Sequence, residues 1–345
     1  MAVTIRDVAR AAGVSISTVS RALSAPDRVA EDTRLRVRRA ARALGYHPNG
    51  SARGLITGRT GCIGLVVPDL ENPFFGSICK GVQARARSLG YAVFIGDAEE
   101  DAAVEAEVIR SLVKQVDGLI LCSPRGSDRV LERFAQDKPV VLINRRVGDL
   151  SALTFDNGGG VRAAMHHLVA LGHRRIAYAG GPTTSWSDGK RITAFRACSA
   201  TFPDLDLIEL GHFAPVFAGG VQAGDLAIAS GATAVMAYND LMAVGVLDRL
   251  RQRGVGVPRD VSVTGFDDIP IAGLASPTLT AVAFPRFQMG RASVDVLMDV
   301  LGQDVDTHPE RELPVQLVVR ESTGVAATAP APPRDSALRS IELPV

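Results

Sequence analysis

The chain has 345 residues, too many for one compact core and enough for two or three domains. Its 46% hydrophobic and 22% charged residues exclude a disordered or fibrous protein. The net charge of +1 hides an asymmetry: residues 1–60 carry 11 arginines against 4 acidic residues, and the remainder carries 27 basic residues against 33 acidic ones. A basic end on a mildly acidic body points to nucleic acid as the partner of that end.

Thr4 is placed to cap a first helix, with Asp7 three residues on as the acidic partner of a capping box. Ile5, Val8, Ala9 and Ala12 then fall on one helical face, and Gly13 ends the helix. Ser15 caps a second helix in which Val19, Ala22 and Leu23 face inward, leaving Ile16, Ser17, Thr18 and Arg21 outward near its start. Two short helices joined by a glycine turn are a helix-turn-helix, whose second helix presents its first residues to base edges in the major groove. A third helix is expected from about Ala30 to the Gly45 stop, with Val37, Ala41 and Leu44 as its apolar stripe. Arg34, Arg38, Arg39 and Arg42 lie elsewhere on it, as a solvated face or as phosphate contacts. Gly50, Gly54 and Gly58 disfavour an isolated helix after Tyr46, leaving a flexible linker or a segment that becomes helical on DNA.

From residue 61 to 285 strand-like and helix-like blocks alternate. Cys62–Val67, Tyr91–Ile95, Gly118–Cys122 and Val140–Ile143 read as buried strands, and the rhythm restarts with Ile176–Ala179, Ala234–Ala237 and Val261–Thr264. The fold class is therefore α/β, a three-helix headpiece followed by two doubly wound parallel sheets. In such sheets ligands sit beyond the carboxyl ends of the strands. Asp69, Phe74 and Phe75 follow the first strand, Asp97 the second and Asn144-Arg145 the fourth. Asn239-Asp240 and Asp267-Asp268 follow strands of the second series, and Arg191 is read as the start of a helix after the loop at 180–188. Trp186 and Phe213 are expected in loops at the mouth of this site. Carboxylates, amides, an arginine fork and an aromatic face together suit a polyhydroxylated molecule. The plainer alternative makes Asp240 and Asp267 helix caps and Phe74 a core residue.

Other motifs carry little chemistry. Gly158-Gly-Gly160 lacks the spacing and the lysine of a phosphate loop, and adjacent His166-His167 point to different helix faces. Cys62, Cys79, Cys122 and Cys198 are scattered, which predicts reduced thiols with neither metal nor disulfide. No catalytic triad spacing stands out, so no enzyme activity and no cofactor are expected. No run approaches the ~18 apolar residues of a membrane span. Charge at Arg6 and Asp7 interrupts any signal-peptide core, so a cytoplasmic location away from the membrane is expected.

The run Thr4-Ile-Arg-Asp-Val-Ala-Arg-Ala-Ala-Gly-Val-Ser15, continued by Thr18-Val-Ser-Arg21, resembles the headpiece of the lactose-repressor (LacI/GalR) family. Val29-Ala-Glu-Asp-Thr-Arg34, Leu44-Gly-Tyr-His-Pro-Asn49, Asn72-Pro-Phe-Phe75 and Val116-Asp-Gly-Leu119 continue the match. Leu171-Gly-His-Arg-Arg-Ile176, Asn239-Asp240 and Gly265-Phe-Asp-Asp268 carry it on, so that it covers about residues 3–324 in order. The resemblance implies a homodimer on a palindromic DNA operator, with a headpiece (1–46), a hinge helix (47–60), a two-lobed periplasmic-binding-protein-like effector domain (61–324) and a tail (325–345). Lobe 1 would hold about 61–155 and 285–313, and lobe 2 about 156–284 and 314–324. By matched positions Ile16, Ser17 and Arg21 would read the major groove, and Thr18 and Ala52 also belong to the DNA-binding set. Thr4, Ser15, Ser20, Thr33, Tyr46 and Asn49 would hold phosphates, and Leu55 would wedge into the central minor groove. Phe75, Asn144, Arg191, Asn239 and Asp267 match effector contacts, to which the strand-end rule adds Asp69 and Phe74. Two departures stand out: Ile16 offers only apolar contact where many relatives carry a hydroxyl or amide, and Ala30 replaces a common capping serine.

The expected function is a ligand-responsive transcriptional regulator, a repressor of carbohydrate uptake or catabolism genes with a sugar-like effector. The alternatives are a regulator answering to a nucleoside or purine, a solute-binding protein of a sugar transporter, and a sugar kinase or dehydrogenase. The basic headpiece and the absent signal peptide count against the transporter protein, and the absent phosphate loop against the enzymes.

Overall fold

The structure, a computed structural model, describes residues 3–24, 28–46, 59–302 and 310–327. The chain divides into two compact units, one of residues 1–62 with 115–117 and one of residues 63–114 with 118–345.

The first unit holds three helices, α1 (Ile5–Ala12), α2 (Ile16–Ser24) and α3 (Glu31–Leu44). Gly13 ends α1 at φ 63°, a left-handed conformation that costs glycine nothing, and Gly45 ends α3 in the same way. Val8, Val19, Ala22, Val37 and Ala41 are buried where the three helices meet. Leu44 departs from the expected stripe and is exposed, because the last turn of α3 runs past this small core. The Ala30 cap position makes no side-chain hydrogen bond, as its methyl dictates.

The second unit is built on two six-stranded sheets. Its strands are β1 (Cys62–Val67), β2 (Ala92–Asp97), β3 (Gly118–Cys122), β4 (Val140–Ile143), β5 (Ala152–Phe155), β6 (Arg175–Gly180), β7 (Asp206–His212), β8 (Ala234–Ala237), β9 (Ser262–Asp267), β10 (Thr280–Ala283), β11 (Glu310–Leu313) and β12 (Gln316–Val318). The first sheet runs β11-β5-β4-β3-β1-β2 and the second β12-β10-β9-β8-β6-β7. Pairing is parallel from β11 to β1 and from β10 to β7, and β12 is the antiparallel edge. Between strands run α4 (Pro73–Ser88), α5 (Ala102–Leu112), α6 (Asp128–Asp137), α7 (Asn157–Ala170), α8 (Trp186–Thr201), α9 (Phe217–Ser230), α10 (Asp240–Gln252), α11 (Pro270–Leu274) and α12 (Arg286–Gly302). The chain passes between the sheets after β5, after β10 and after β11. β3, β4, β8 and β9 are buried along their whole length, which is why they read as continuous apolar runs. At the far end Ala326 donates its backbone N–H to Leu171 O at 2.8 Å.

Helices α4 and α12 pack with backbones almost touching. A Cβ on Gly81 would stand 2.2 Å from Phe287 O, and one on Gly290 would stand 2.2 Å from Ile78 O. Gly81→Ala gains about 1 kcal/mol of helix propensity, but the clash with backbone must push the helices apart, at a cost of about 1–3 kcal/mol or more. Urea unfolding should therefore show a lower midpoint for Gly81→Ala; an unchanged or higher midpoint would contradict this packing.

Candidate functional site

In the first unit the start of α2 is a small polar cluster. Ser15 Oγ accepts the Thr18 N–H at 3.1 Å and lies 2.8 Å from both Ser17 Oγ and Thr18 Oγ1. Arg21 Nε donates to Ser17 O at 3.3 Å, and Ile16 is 46% exposed. Ser17 and Arg21 are exposed and Thr18 and Ser20 half-buried, so the first two turns present an apolar side chain, hydroxyls and one guanidinium to solvent. At α1 the Asp7 carboxylate accepts from the Thr4 N–H at 2.9 Å and the Thr4 hydroxyl at 2.7 Å. Those two bonds hold Asp7 below the usual carboxylate range. Thr33 is half-buried in the first turn of α3, and Tyr46 packs against the three-helix core. Asn49, Ala52 and Leu55 lie outside the described residues.

In the second unit a cleft opens at the carboxyl ends of strands from both sheets. Phe74, Phe75, Asn144, Arg191, Asn239 and Asp267 line it. Asp69 does not: its Oδ1 turns back to accept the Glu71 N–H at 2.7 Å, closing the turn after β1. The Phe74 and Phe75 rings meet edge to face at 5.1 Å, and both are at least 95% buried. Asn144 Nδ2 reaches Ser123 Oγ at 3.4 Å.

Arg191 lies in the second turn of α8 and not at its start, because Ser185 caps the helix by accepting the Asp188 N–H at 3.2 Å. Its guanidinium carbon stands 4.3 Å from the Phe266 ring centre, 5.0 Å from Tyr238 and 5.6 Å from Phe284. Nε donates to Asn157 Oδ1 at 3.0 Å and Nη1 to Tyr238 O, while Nη2 makes no hydrogen bond among the described residues. Trp186 begins α8 with the Lys190 ammonium 5.0 Å from its ring, and Phe213 packs against the apolar cluster that includes Val235, Val246 and Val263; neither lines the cleft.

Helix α10 is capped by Asn239, whose Oδ1 accepts the Met242 N–H at 2.9 Å while Nδ2 donates to Pro215 O at 2.8 Å. Asp240 is therefore no cap. It turns inward, Oδ2 accepts the Ile269 N–H at 2.7 Å, and Oδ1 has no partner among the described residues. Burial, then the neighbouring Asp267 charge, hold its carboxyl well above the usual range. Asp267 is not a cap either: its carboxyl faces the cleft without a hydrogen bond among the described residues, at φ 113°. Burial pushes it up to about 7, against the pull of Arg191 and Arg286. Arg286 holds this corner by donating to the backbone carbonyls of Asp267 and Asp268.

The cleft also contains residues that the sequence reading passed over. Arg125 Nε and Nη2 grip the Glu100 carboxylate at 2.6 and 3.0 Å, and Nη1 donates to Ser123 O at 3.1 Å. The backbone amides of Arg125 and Gly126 donate to the buried Glu105 carboxylate at 2.7 and 2.9 Å. Tyr238 and Ser187 line the opposite side. Extending the strand-end rule to β3, and reading three residues further past β2 and from the first residue after β8, would have found Glu100, Ser123, Arg125 and Tyr238. Among the described residues, every non-glycine residue at positive φ lies in this neighbourhood: Glu99, Glu100, Ser123, Asn144, Asp267 and Asp268. Such backbone costs free energy and persists where the surroundings impose it, typically around a ligand.

The raised Asp267 value has a measurable consequence. The folded protein binds this proton more tightly than the unfolded chain, so the contribution is full below about pH 4 and is lost as pH rises towards 7. Compared with Asp267→Asn, the parent should lose stability between those values, on the order of a few kcal/mol, and then run parallel. Thermal unfolding of both proteins across that range checks it, and parallel curves throughout would refute it.

Comparison with known proteins agrees with this geometry. A family model described as bacterial regulatory proteins, lacI family, matches residues 4–49, and one described as a periplasmic binding protein-like domain matches residues 165–323. The HTH-type transcriptional repressor CytR of Escherichia coli (strain K12) is 35% identical over 333 residues, 93% of this chain and 96% of that protein. The Lac repressor dimer bound to operator and the anti-inducer ONPF superposes with a TM-score of 0.83 at 28% identity, covering 94% of this chain and 100% of that one. The complex of the transcriptional regulator CelR with cellobiose superposes with a TM-score of 0.70 at 30% identity, covering 93% and 99%. With a basic helix-turn-helix, two doubly wound sheets around a cleft and relatives matched over nearly their whole length, the chain belongs to the lacI family of bacterial transcriptional regulators.

Proposed function

We propose that this regulator binds a palindromic operator as a homodimer and that a small polyhydroxylated molecule in the cleft alters that binding, so controlling genes of carbohydrate uptake or catabolism. The observation that carries the reading is the exposed face of the first two turns of α2, where Ile16, Ser17 and Arg21 face solvent. Arg21 can make a forked contact to a guanine edge, Ile16 can meet a thymine methyl, and Ser17 can serve either base type. Thr4, Ser15, Ser20, Thr33 and Tyr46 supply hydroxyls for phosphates, beside a run of arginines on α3. Asn49, Ala52 and the Leu55 wedge keep their proposed roles from the sequence.

For the ligand, Asp267 and Glu100 accept hydroxyl protons, Arg191 Nη2 and Asn144 donate, and Phe75 offers an apolar wall. The operator in the Lac repressor structure and the cellobiose in the CelR complex support the same two ligand classes for this chain. The ligand shifts operator affinity only by its differential affinity for the two states of the dimer.

Fluorescence anisotropy with a selected palindrome and a scrambled duplex tests this. Operator affinity should fall with salt, and Arg21→Ala should lose about 1–3 kcal/mol on the palindrome and far less on the scrambled duplex. Equal affinity of the parent for both duplexes at moderate salt would refute the reading. A sugar that changes operator affinity in the parent should have no effect in Asp267→Asn; a retained response would move the ligand out of this cleft.

A further inference from the structure

Asn157 opens α7 where the chain leaves the first sheet through β5 and enters the helices packed on the second. Its side chain is almost wholly buried and fully bonded. Nδ2 donates to Asn144 Oδ1 at 3.0 Å and to Phe155 O at 3.1 Å, and Oδ1 accepts the Arg191 Nε–H at 3.0 Å. The helix does not need this amide, because the Asp156 carboxylate caps α7 by accepting the Gly159 N–H at 2.6 Å. A buried amide is thus committed to two cleft residues borne by different sheets: Asn144 follows β4, and Arg191 rides on α8 after β6.

We infer that Asn157 is a positioning residue for ligand recognition, fixing Asn144 of the first sheet and Arg191 of the second in one register so that both act on the same bound molecule. The inference rests on the proposed reading of the cleft as the ligand site. Without the amide, Arg191 keeps Tyr238 O and its aromatic neighbours and so stays buried, but a single hydrogen bond is left to fix the rotation of its fork. Recognition by a fork depends on that angle, and small displacements of a positioning group cost about tenfold or more. The requirement is specific to an amide. Aspartate would keep the acceptor for Arg191 but lose both donors, and would set its charge against Asn144 Oδ1 and Phe155 O.

The test uses the full-length protein as parent, Asn157→Ala and Asn157→Asp, each with and without Arg191→Lys. Exchange of the Arg191 Nε–H with solvent is followed by nitrogen-15 NMR in the ligand-free protein, the resonance being assigned by its loss in Arg191→Lys. Exchange should be slow in the parent, at least about tenfold faster in Asn157→Ala, and slow again in Asn157→Asp. Calorimetry with D-ribose, D-glucose, cellobiose and uridine supplies the second reading, using whichever binds the parent. Both Asn157 variants should weaken that binding about tenfold, and the effect of Asn157→Ala should shrink below about twofold in the Arg191→Lys background. Equal Nε–H protection in parent and Asn157→Ala overturns the inference. So does an equal loss of affinity in both Arg191 backgrounds, which is what a general structural defect would give. If none of these compounds binds the parent, the ligand reading loses those classes, and the exchange rates still decide the role of Asn157.

Discussion

Burying the charge of Arg191 is the constraint around which the cleft is arranged. A guanidinium taken out of water is costly unless its donors are met and its charge is answered. Here Asn157 and the Tyr238 carbonyl meet two sides of the fork, Phe266, Tyr238 and Phe284 present their faces, and Asp267 stands close enough for its own ionisation to respond. The fork keeps one nitrogen for something else. On the other sheet the Arg125 charge is closed off by Glu100 and Ser123 O, so the two arginines of the cleft have opposite characters: one is saturated and one is open.

Holding an open guanidinium in place demands rigid surroundings, and the backbone shows how they are made. Asp267 and Asp268 adopt positive φ after β9, and Arg286 fixes both of their carbonyls. Asp240 ties the next residue, Ile269, from beneath and needs the space left by Gly265, where a Cβ would stand 2.3 Å from its Oδ1. A strained corner supported from two directions is a preorganised one, and preorganisation sharpens binding by reducing what must be ordered on contact. The headpiece follows a different economy. Ser15, Ser17 and Thr18 satisfy one another in the free protein, and Arg21 leans on Ser17 O, so the proposed DNA contacts require these groups to exchange partners.

Much of this was legible in the residues. Cys62–Val67, Gly118–Cys122, Val140–Ile143 and Ala234–Ala237 were bounded correctly because buried parallel strands leave unbroken apolar runs. The three headpiece helices followed from Thr4, Gly13, Ser15 and Gly45. Strand β7 escaped because it is a sheet edge whose side chains are mostly exposed or half-buried, so Asp206, Glu209 and His212 break its pattern. Strands β5, β10 and β12 escaped because Thr154, Thr280 and Gln316 interrupt the apolar run that marks the equally short β4 and β8, and β11, Glu-Arg-Glu-Leu, looks like a turn. In the cleft, residues directly after clear strands were found. Arg125 and Tyr238 were not, because the strand-end rule was not carried past β3 or applied to the first residue after β8, and Asn157 was not, because its role arises from Asn144 and Arg191, partners that no local pattern reveals.

The central claim is that one chain joins sequence-specific DNA binding to a ligand in the cleft. Selection of binding sites from random duplex DNA by the full-length protein, with and without a sugar that raises its melting temperature, tests this most directly. The account predicts enrichment of a two-fold symmetric sequence whose recovery changes with the sugar in the parent and not in Asp267→Asn. Enrichment of no symmetric sequence, or identical recovery with and without the sugar, would contradict it.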